Sequence, residues 1–300
     1  MNSAAAWMEE ELCRRWRLNQ RGGLLARASR WRVVHWLLLQ RLGWHRWVKG
    51  RVFWGDPIYV LTGEGVSRGI LPFGYGELAL TALMIEFLEP GMRVVDVGAH
   101  LGYEAMLASV LVGRDGRVVS FEPQEQIADW TVKNLRQFPQ ARVLKAAAGQ
   151  SKGKAEFTQC DMARSAFSGE GTDSEKGVGR RYEVEVTTIG VALAKDERPV
   201  DFIKCDVEGS EMAVLRGAID LLREDKPLLV LEAEMPSSSK LRPRVREFTE
   251  FLDPMGYRGF SFDYDGRLRV AQLGSLIEGH ANVAFIHRSK AQRLTNILHE

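Results

Sequence analysis

From Arg93 onward, short apolar runs alternate with stretches of helical periodicity, and this alternation constrains the fold more than any other feature of the sequence. Each run stays apolar until its carboxyl end, as expected for strands that helices cover on both faces of a sheet. The runs predicted as strands are 93–97, 117–123, 141–149, 199–209 and 226–235. The predicted fold class is therefore α/β, with an open, doubly wound and mostly parallel sheet.

Length and composition indicate a globular chain: 300 residues, 45% of them hydrophobic and 27% charged. They suffice for one large domain or two small ones. Cys13, Cys160 and Cys205 are widely spaced, which argues against a disulfide scaffold or a zinc site and fits a reducing compartment. The N-terminus lacks the pattern of a secretory signal, and no apolar run approaches the ~18–20 residues that cross a bilayer. We expect a cytoplasmic protein.

The sequence divides into three parts. Residues 1–52 form a basic, Trp-rich extension that is predicted to be helical, and residues 53–91 form a segment of short strands, turns and one helix. Residues 92–300 form the α/β domain. Within it, residues 160–181 are rich in Gly and Ser, which is typical of a flexible loop or lid.

The N-terminal extension concentrates positive charge. Between Leu12 and Gly55 there are eleven Arg or Lys residues and no Asp or Glu. The favoured interpretation is a helix over 31–42 that packs on the domain, or on a second subunit of a homo-oligomer. The alternative is that residues 12–55 contact a glycolipid or the anionic inner surface of a membrane. No nucleic-acid motif accompanies the charge, so no nucleic-acid partner is expected.

The segment VVDVGAHLGY, residues 94–103, joins the first predicted strand of the domain to a helix. Asp96 ends the strand, and Gly98 and Gly102 allow a tight turn that a ligand can approach closely. Ligands of such sheets bind at the carboxyl ends of the strands. Glu122 ends the next strand, about twenty residues further on, where a carboxylate can accept hydrogen bonds from both hydroxyls of a ribose.

This arrangement of glycines and acids is compatible with NAD and with S-adenosylmethionine. The dinucleotide fingerprint GxGxxG seats a pyrophosphate at a helix N-terminus, whereas here the middle glycine is absent and Asp96 precedes the turn. A carboxylate repels a pyrophosphate but attracts the cationic amino-acid end of S-adenosylmethionine. The motif favours a methyltransferase over an NAD(P)-dependent oxidoreductase or an unliganded turn.

Acidic residues also follow the later strands. Lys204, Asp206 and Glu208 fall on one face of a strand, and Glu232 ends the neighbouring one. A lysine in a buried strand needs a partner, and Asp96 or Glu232 can supply it. These charges either neutralise one another or serve catalysis.

In the catalytic interpretation, Asp206 or Glu208 accepts the proton of a substrate hydroxyl. His100 is an alternative base. Several strand-end carboxylates could in principle hold Mg²⁺.

The stretch VDFIKCDVEGSEMAVLRGA, residues 200–218, closely resembles the signature of the FkbM-type methyltransferases. DVGAHLGY, VVSFEP, VTTIG and FLDPMGY keep the order of that family across about residues 75–287. The resemblance implies a Rossmann-like class I methyltransferase fold with a seven-stranded sheet, and S-adenosylmethionine as cofactor without a required metal. It also implies O-methylation of a hydroxyl on a sugar, glycolipid or natural product. A binding protein that keeps the fold without catalysis is the alternative.

The resemblance implies roles for individual residues. Those implied to bind the cofactor are Asp96, Gly98, His100, Gly102, Glu122, Ala147, Ala148 and Asp206. Ala147 and Ala148 would border the adenine, and Asp206 and Glu208 would face the reacting methyl group. The sequence departs from the family's usual residues at three places: His100 replaces Asn, Cys205 replaces Ile, and Ile189-Gly190 replaces Leu-Asp.

Overall fold

The computed structural model describes residues 3–20, 34, 38–39, 41–42, 44–65, 67–159, 169–170, 180–233, 241–273 and 282–295. Its helices are α1 Ser3–Gln20, α2 Ser67–Phe73, α3 Leu78–Phe87, α4 Tyr103–Val112, α5 Glu125–Leu135, α6 Ile189–Ala192, α7 Glu211–Gly217, α8 Ile219–Glu224, α9 Leu241–Leu252 and α10 Gln292–Thr295. Short 3₁₀ helices lie at Lys195–Glu197, Asp253–Met255 and Arg288–Lys290.

Within the described ranges the strands form three sheets. The strands are β1 Trp47–Arg51, β2 Pro57–Leu61, β3 Arg93–Val97, β4 Arg117–Phe121, β5 Ala141–Leu144, β6 Ala147–Ala148, β7 Gly153–Gln159, β8 Gly169–Glu170, β9 Arg180–Thr187, β10 Phe202–Cys205, β11 Leu228–Glu232, β12 Tyr257–Tyr264, β13 Leu268–Gln272 and β14 Asn282–His287. Strands β1 and β2 form an antiparallel hairpin, and β6–β9–β7–β8 form a small sheet.

The central sheet has the strand order β13–β12–β14–β11–β10–β3–β4–β5. The run from β11 to β5 is parallel, and β14, β12 and β13 each pair antiparallel with their neighbours. The α/β, mostly parallel class I fold is therefore confirmed. Among the described residues the sheet has one strand more than the seven expected, because the chain turns back after β12 and adds β13 at the edge.

Side chains of the central strands alternate between two hydrophobic cores, one on each face of the sheet. Val94 belongs to the core that includes Leu107 of α4 and Ile127 of α5. Its neighbour Val95 belongs to the core that includes Leu215 of α7. Helices therefore cover both faces, and polar groups are left to the ends of the strands.

The N-terminal helix α1 packs on the α/β domain. Leu12 is fully buried in the same core as Leu83 of α3. The Trp16 ring meets the Tyr264 ring edge-on, with centroids 6.1 Å apart. Helix α1 thus shares a hydrophobic core with the domain, whereas the packing of the helix predicted over 31–42 stays a prediction.

Several expectations from the sequence fall outside the described residues. Most of the predicted helix over 31–42 does so, as do 160–168 and 171–179 of the predicted loop or lid. Residues 169–170 form β8 and pair with β7.

No single helix among the described residues is long and apolar enough to cross a bilayer. Helices α2 and α3, which meet at 74°, pass the test of length and composition only as a pair.

Candidate functional site

A cavity of about 640 Å³ opens at the carboxyl ends of β3, β4, β10 and β11. This is the edge of a parallel sheet where ligands are expected. Helix α2 and the residues after it close another side, with Arg68, Phe73 and Tyr75 in the wall. The cavity lies within the usual range of small-molecule sites, roughly 300–1,000 Å³.

The glycine-rich loop after β3 passes very close to the end of β10. Gly98 has a φ of +78°, and a Cβ atom on it would lie 1.9 Å from the backbone oxygen of Asp206. Gly102 also has a φ of +78°, and a Cβ atom there would lie 2.8 Å from Cγ2 of Thr131. Gly98 lines the cavity, whereas Gly102 lies outside its lining and begins α4. The predicted cofactor contact of Gly102 stays a prediction.

His100 lines the cavity with a left-handed backbone, φ 47°. Asn and His are both enriched in this conformation, which explains why His can stand where the family usually has Asn. Its backbone N–H donates to Glu122 Oε2 at 2.9 Å, and its Nε2 lies 3.9 Å from Glu64 Oε1. Burial lowers the pKa of His100, so the ring is neutral at neutral pH. Its predicted role as a base stays a prediction.

Glu122 is held at the end of β4 by two backbone hydrogen bonds. Its Oε2 accepts from the N–H of His100 and its Oε1 from the N–H of Gln124, both at 2.9 Å. Each oxygen keeps capacity for another donor, and the side chain lines the cavity. Burial raises the pKa of Glu122 to about 7, against the effect of these two bonds. The geometry suits the predicted contact with a ribose.

Lys204 links the charges of the site. Its Nζ lies 2.9 Å from the backbone oxygen of Gly98, 3.2 Å from Asp206 Oδ2 and 3.6 Å from Asp96 Oδ1. Burial disfavours its charge, but Asp206 and Asp96 outweigh that effect and raise the pKa of Lys204 well above its usual value. The lysine therefore stays protonated and partly neutralises both carboxylates.

Asp96 is buried and lies outside the cavity lining. Among the described residues neither of its carboxylate oxygens has a hydrogen-bond partner, and its nearest cation is Lys204, which does line the cavity. Burial raises the pKa of Asp96. The geometry thus places Asp96 against Lys204, and a direct contact with the amino group of the cofactor stays a prediction.

Three carboxylates meet at the cavity: Asp206, Glu208 and Glu232 have oxygens within 4.8 Å of one another. Burial opposes ionisation of Asp206, but the charge of Lys204 and the neighbouring Glu232 carboxyl bring its pKa below the usual value. Burial, and then the charge of Asp206, raise the pKa of Glu232 to about 10. Glu232 therefore keeps its proton at neutral pH beside an ionised Asp206. The spacing is also one that could hold a cation.

Two residues in or next to the site were not predicted from the sequence. Glu104, in the first turn of α4, lines the cavity, and burial raises its pKa to about 8. Its signal was an acid in an otherwise apolar helix directly after the glycine loop. Asn282 on β14 donates a hydrogen bond to Glu77, which lies 205 residues away in the sequence. No local pattern marks that contact.

Ala147 and Ala148 form β6, which pairs with β9 in the small sheet. Ala148 packs in the hydrophobic core. Neither residue belongs to the cavity lining, and their predicted place beside the adenine stays a prediction.

The sequence model described as the methyltransferase FkbM domain matches residues 96–259. That range covers more than half of the chain. The chain belongs to the FkbM methyltransferase family. The membership confirms the resemblance noted above, and it favours a methyltransferase over the oxidoreductase alternative.

This FkbM methyltransferase also matches one protein over a short stretch of sequence and one crystal structure at low sequence identity. The protein-L-isoaspartate O-methyltransferase of Methanopyrus kandleri is 36% identical over 85 residues, which is 26% of this chain and 38% of that protein. The chain therefore spans well under half of the length of this relative. The crystal structure of methyltransferase FkbM from Methylobacillus flagellatus KT is 17% identical, with a TM-score of 0.43, and the match covers 73% of this chain and 52% of that one.

The membership confirms S-adenosylmethionine as the expected cofactor, and the cavity fits it. Gly98 lines the cavity, and its lack of a side chain lets the loop pass close to the backbone of Asp206 at the cavity wall. Glu122 supplies an oriented carboxylate for a ribose. These residues would hold the cofactor beside Asp206 and Glu208, which line the same cavity.

Proposed function

We propose that this FkbM methyltransferase transfers a methyl group to a hydroxyl of a small molecule, such as a sugar, a glycolipid or a natural product. The observation that carries the proposal is the place of Asp206, 3.2 Å from Lys204 Nζ and beside Glu232, in a cofactor-sized cavity. S-adenosylmethionine, when bound, supplies an electrophilic methyl group on a sulfonium.

Asp206 is the base in this proposal. Its side chain is 26% exposed and lines the cavity, so a hydroxyl can reach it. A base that takes the hydroxyl proton during attack typically contributes about 10²–10⁴-fold to a rate. Lys204, whose Nζ lies 3.2 Å from Asp206 Oδ2, keeps Asp206 ionised.

The remaining acidic side chains support a hydroxyl-bearing acceptor. Glu77, Glu104 and Glu208 also line the cavity. Carboxylates accept hydrogen bonds from hydroxyl groups, and protonated carboxyls can donate them. Such a wall suits a polyhydroxylated acceptor better than an apolar one, because an apolar acceptor would form no hydrogen bonds with these carboxyl groups.

The decisive test replaces the base. Asp206→Asn keeps the shape of the side chain but removes its basicity, so we expect kcat to fall at least about 100-fold while the Kd for S-adenosylmethionine changes little. Methyl gain on a panel of sugar and natural-product hydroxyls would be followed by mass spectrometry, and cofactor binding by calorimetry. Asp129→Asn is the control, since Asp129 is a 63% exposed carboxylate that pairs only with Lys145 among the described residues.

The outcomes separate the alternatives. Equal losses of turnover and of cofactor affinity in Asp206→Asn would indicate a structural role for Asp206. Tight cofactor binding without methylation of any acceptor would favour the non-catalytic alternative. Wild-type protein that binds no S-adenosylmethionine would contradict the proposal as a whole.

A further inference from the structure

A second cavity, of about 410 Å³, lies between the N-terminal helix α1 and the β1–β2 hairpin. We call it the basic cavity. Its basic side chains are Arg15 from α1 and Lys49 and Arg51 from β1, and its described wall contains no acidic residue. None of these three residues has a part in the proposed methyl transfer.

Two of the three cations are held in place. The Nη1 atom of Arg15 donates to the backbone oxygen of Phe73 at 2.9 Å, and its Nε donates to Glu11 Oε1 at 2.7 Å. The Nη1 atom of Arg51 donates to the backbone oxygen of Gly55 at 2.7 Å. A carbonyl oxygen orients a guanidinium without neutralising it, so Arg51 keeps its full charge.

The basic cavity carries a net positive charge. Glu11 compensates Arg15 but also pairs with Arg14. Neither Lys49 nor Arg51 forms an ion pair with any residue that the structure describes. Because Lys49 and Arg51 are two positions apart on β1, their side chains leave the strand on the same side.

The basic cavity shares one wall with the cavity at the carboxyl ends of the strands, which we call the methyl-transfer cavity. Arg68 and Phe73 line the methyl-transfer cavity, whereas Leu71, Pro72 and Gly74 line the basic cavity. The two cavities differ in their charged side chains: six Asp and Glu residues line the first together with Arg68 and Lys204, whereas the described wall of the second holds Arg and Lys and no acid.

We propose that the basic cavity binds a phosphate-type oxyanion. The planar guanidinium of Arg51 matches two oxygens of a phosphate, and the ammonium of Lys49 adds a mobile point charge. The cavity has room for such a group together with part of the molecule that carries it. The phosphate could belong to a free small molecule or to a lipid headgroup, and the exposed Leu42 and Trp44 that precede β1 are compatible with a lipid.

The test removes the two cations that no acidic partner holds. The double variant Lys49→Ala/Arg51→Ala would be compared with Lys154→Ala/Arg181→Ala, which removes one Lys and one Arg from the exposed strands β7 and β9. Both variants lose the same net charge, but the control residues lie elsewhere and pair with Glu183 and Glu156. Binding of inorganic pyrophosphate would be measured by calorimetry, and binding to phosphatidylglycerol or phosphatidylcholine vesicles by sedimentation, all with the full chain.

We expect the wild type to bind pyrophosphate or the anionic vesicles, more weakly as salt rises. The Lys49/Arg51 variant should bind at least about tenfold more weakly, and the control should bind like the wild type. Loss for pyrophosphate identifies a free phosphate compound, and loss for anionic vesicles alone identifies a lipid headgroup. Absence of binding to either probe, or equal binding by the two variants, would overturn the proposal. Cofactor affinity, which neither variant should change, reports correct folding.

Discussion

Gly98 lies where the loop after β3 passes the end of β10, and the space there admits no side chain. In Gly98→Ala the new methyl group would collide with the backbone oxygen of Asp206 and would require a left-handed alanine. We expect the free energy of unfolding to fall by more than about 3 kcal/mol, measured by chemical denaturation.

Gly153→Ala is the matched control for this substitution. A Cβ atom on Gly153 would meet no heavy atom within 4 Å, so its effect should stay within about 1 kcal/mol. Similar effects of the two substitutions would contradict the close approach of the glycine loop to β10.

At the same scale, Lys204 is a residue whose need for a partner, but not the partner itself, could be predicted from the sequence. The sequence indicated that a lysine inside a buried strand needs an acidic partner, and Asp96 and Glu232 were the candidates. The structure pairs Lys204 with Asp96 and Asp206, and Glu232 lies beside Asp206 instead. The choice between partners depends on distances across neighbouring strands, which the sequence pattern does not contain.

At the scale of elements, α1 is attached to the domain through a few buried side chains, Leu12 foremost among them. We expect Leu12→Ala to lower the free energy of unfolding by about 2–5 kcal/mol, because it leaves a cavity in a packed core. Thermal and chemical denaturation would measure the change.

The control for α1 uses the same substitution at an exposed leucine. Leu42 is 52% exposed, so Leu42→Ala should change stability by about 0.5 kcal/mol or less. If Leu12→Ala were equally mild, α1 would not be part of the cooperative core.

At the scale of the whole molecule, the buried carboxyls of the site make stability depend on pH. Glu104 and Glu232 have pKa values of about 8 and about 10 in the folded protein, raised mainly by burial. In the unfolded chain they lose their protons near 4.5. Between these limits the folded state binds more protons at these two groups, so their contribution to stability is full below about pH 4.5 and is lost as pH rises through the folded pKa values.

We therefore expect the free energy of unfolding to fall between pH 7 and pH 9, by on the order of 1 kcal/mol per pH unit for each group until the pH passes its folded pKa, so that Glu232 alone contributes above about pH 8. This window lies above the ordinary pKa of histidine. Burial lowers the pKa of His100, so the titration of His100 makes stability rise with pH instead of fall. Glu104→Gln should flatten the decline between pH 7 and 8, as measured by denaturation at several pH values. A stability that is constant or rising across this window would contradict the raised pKa values.

The sequence by itself determined the fold class, the sheet edge that forms the site, and the family. These depend on local patterns: apolar runs of strand length, glycines that a turn requires, and acids at strand ends. Only the tertiary structure showed that Asp96 faces Lys204, that Asn282 reaches Glu77, and that Arg15 joins β1 around a basic cavity. Each of these contacts joins residues more than 30 positions apart, and the packing of whole elements decides which of many chemically acceptable partners meet.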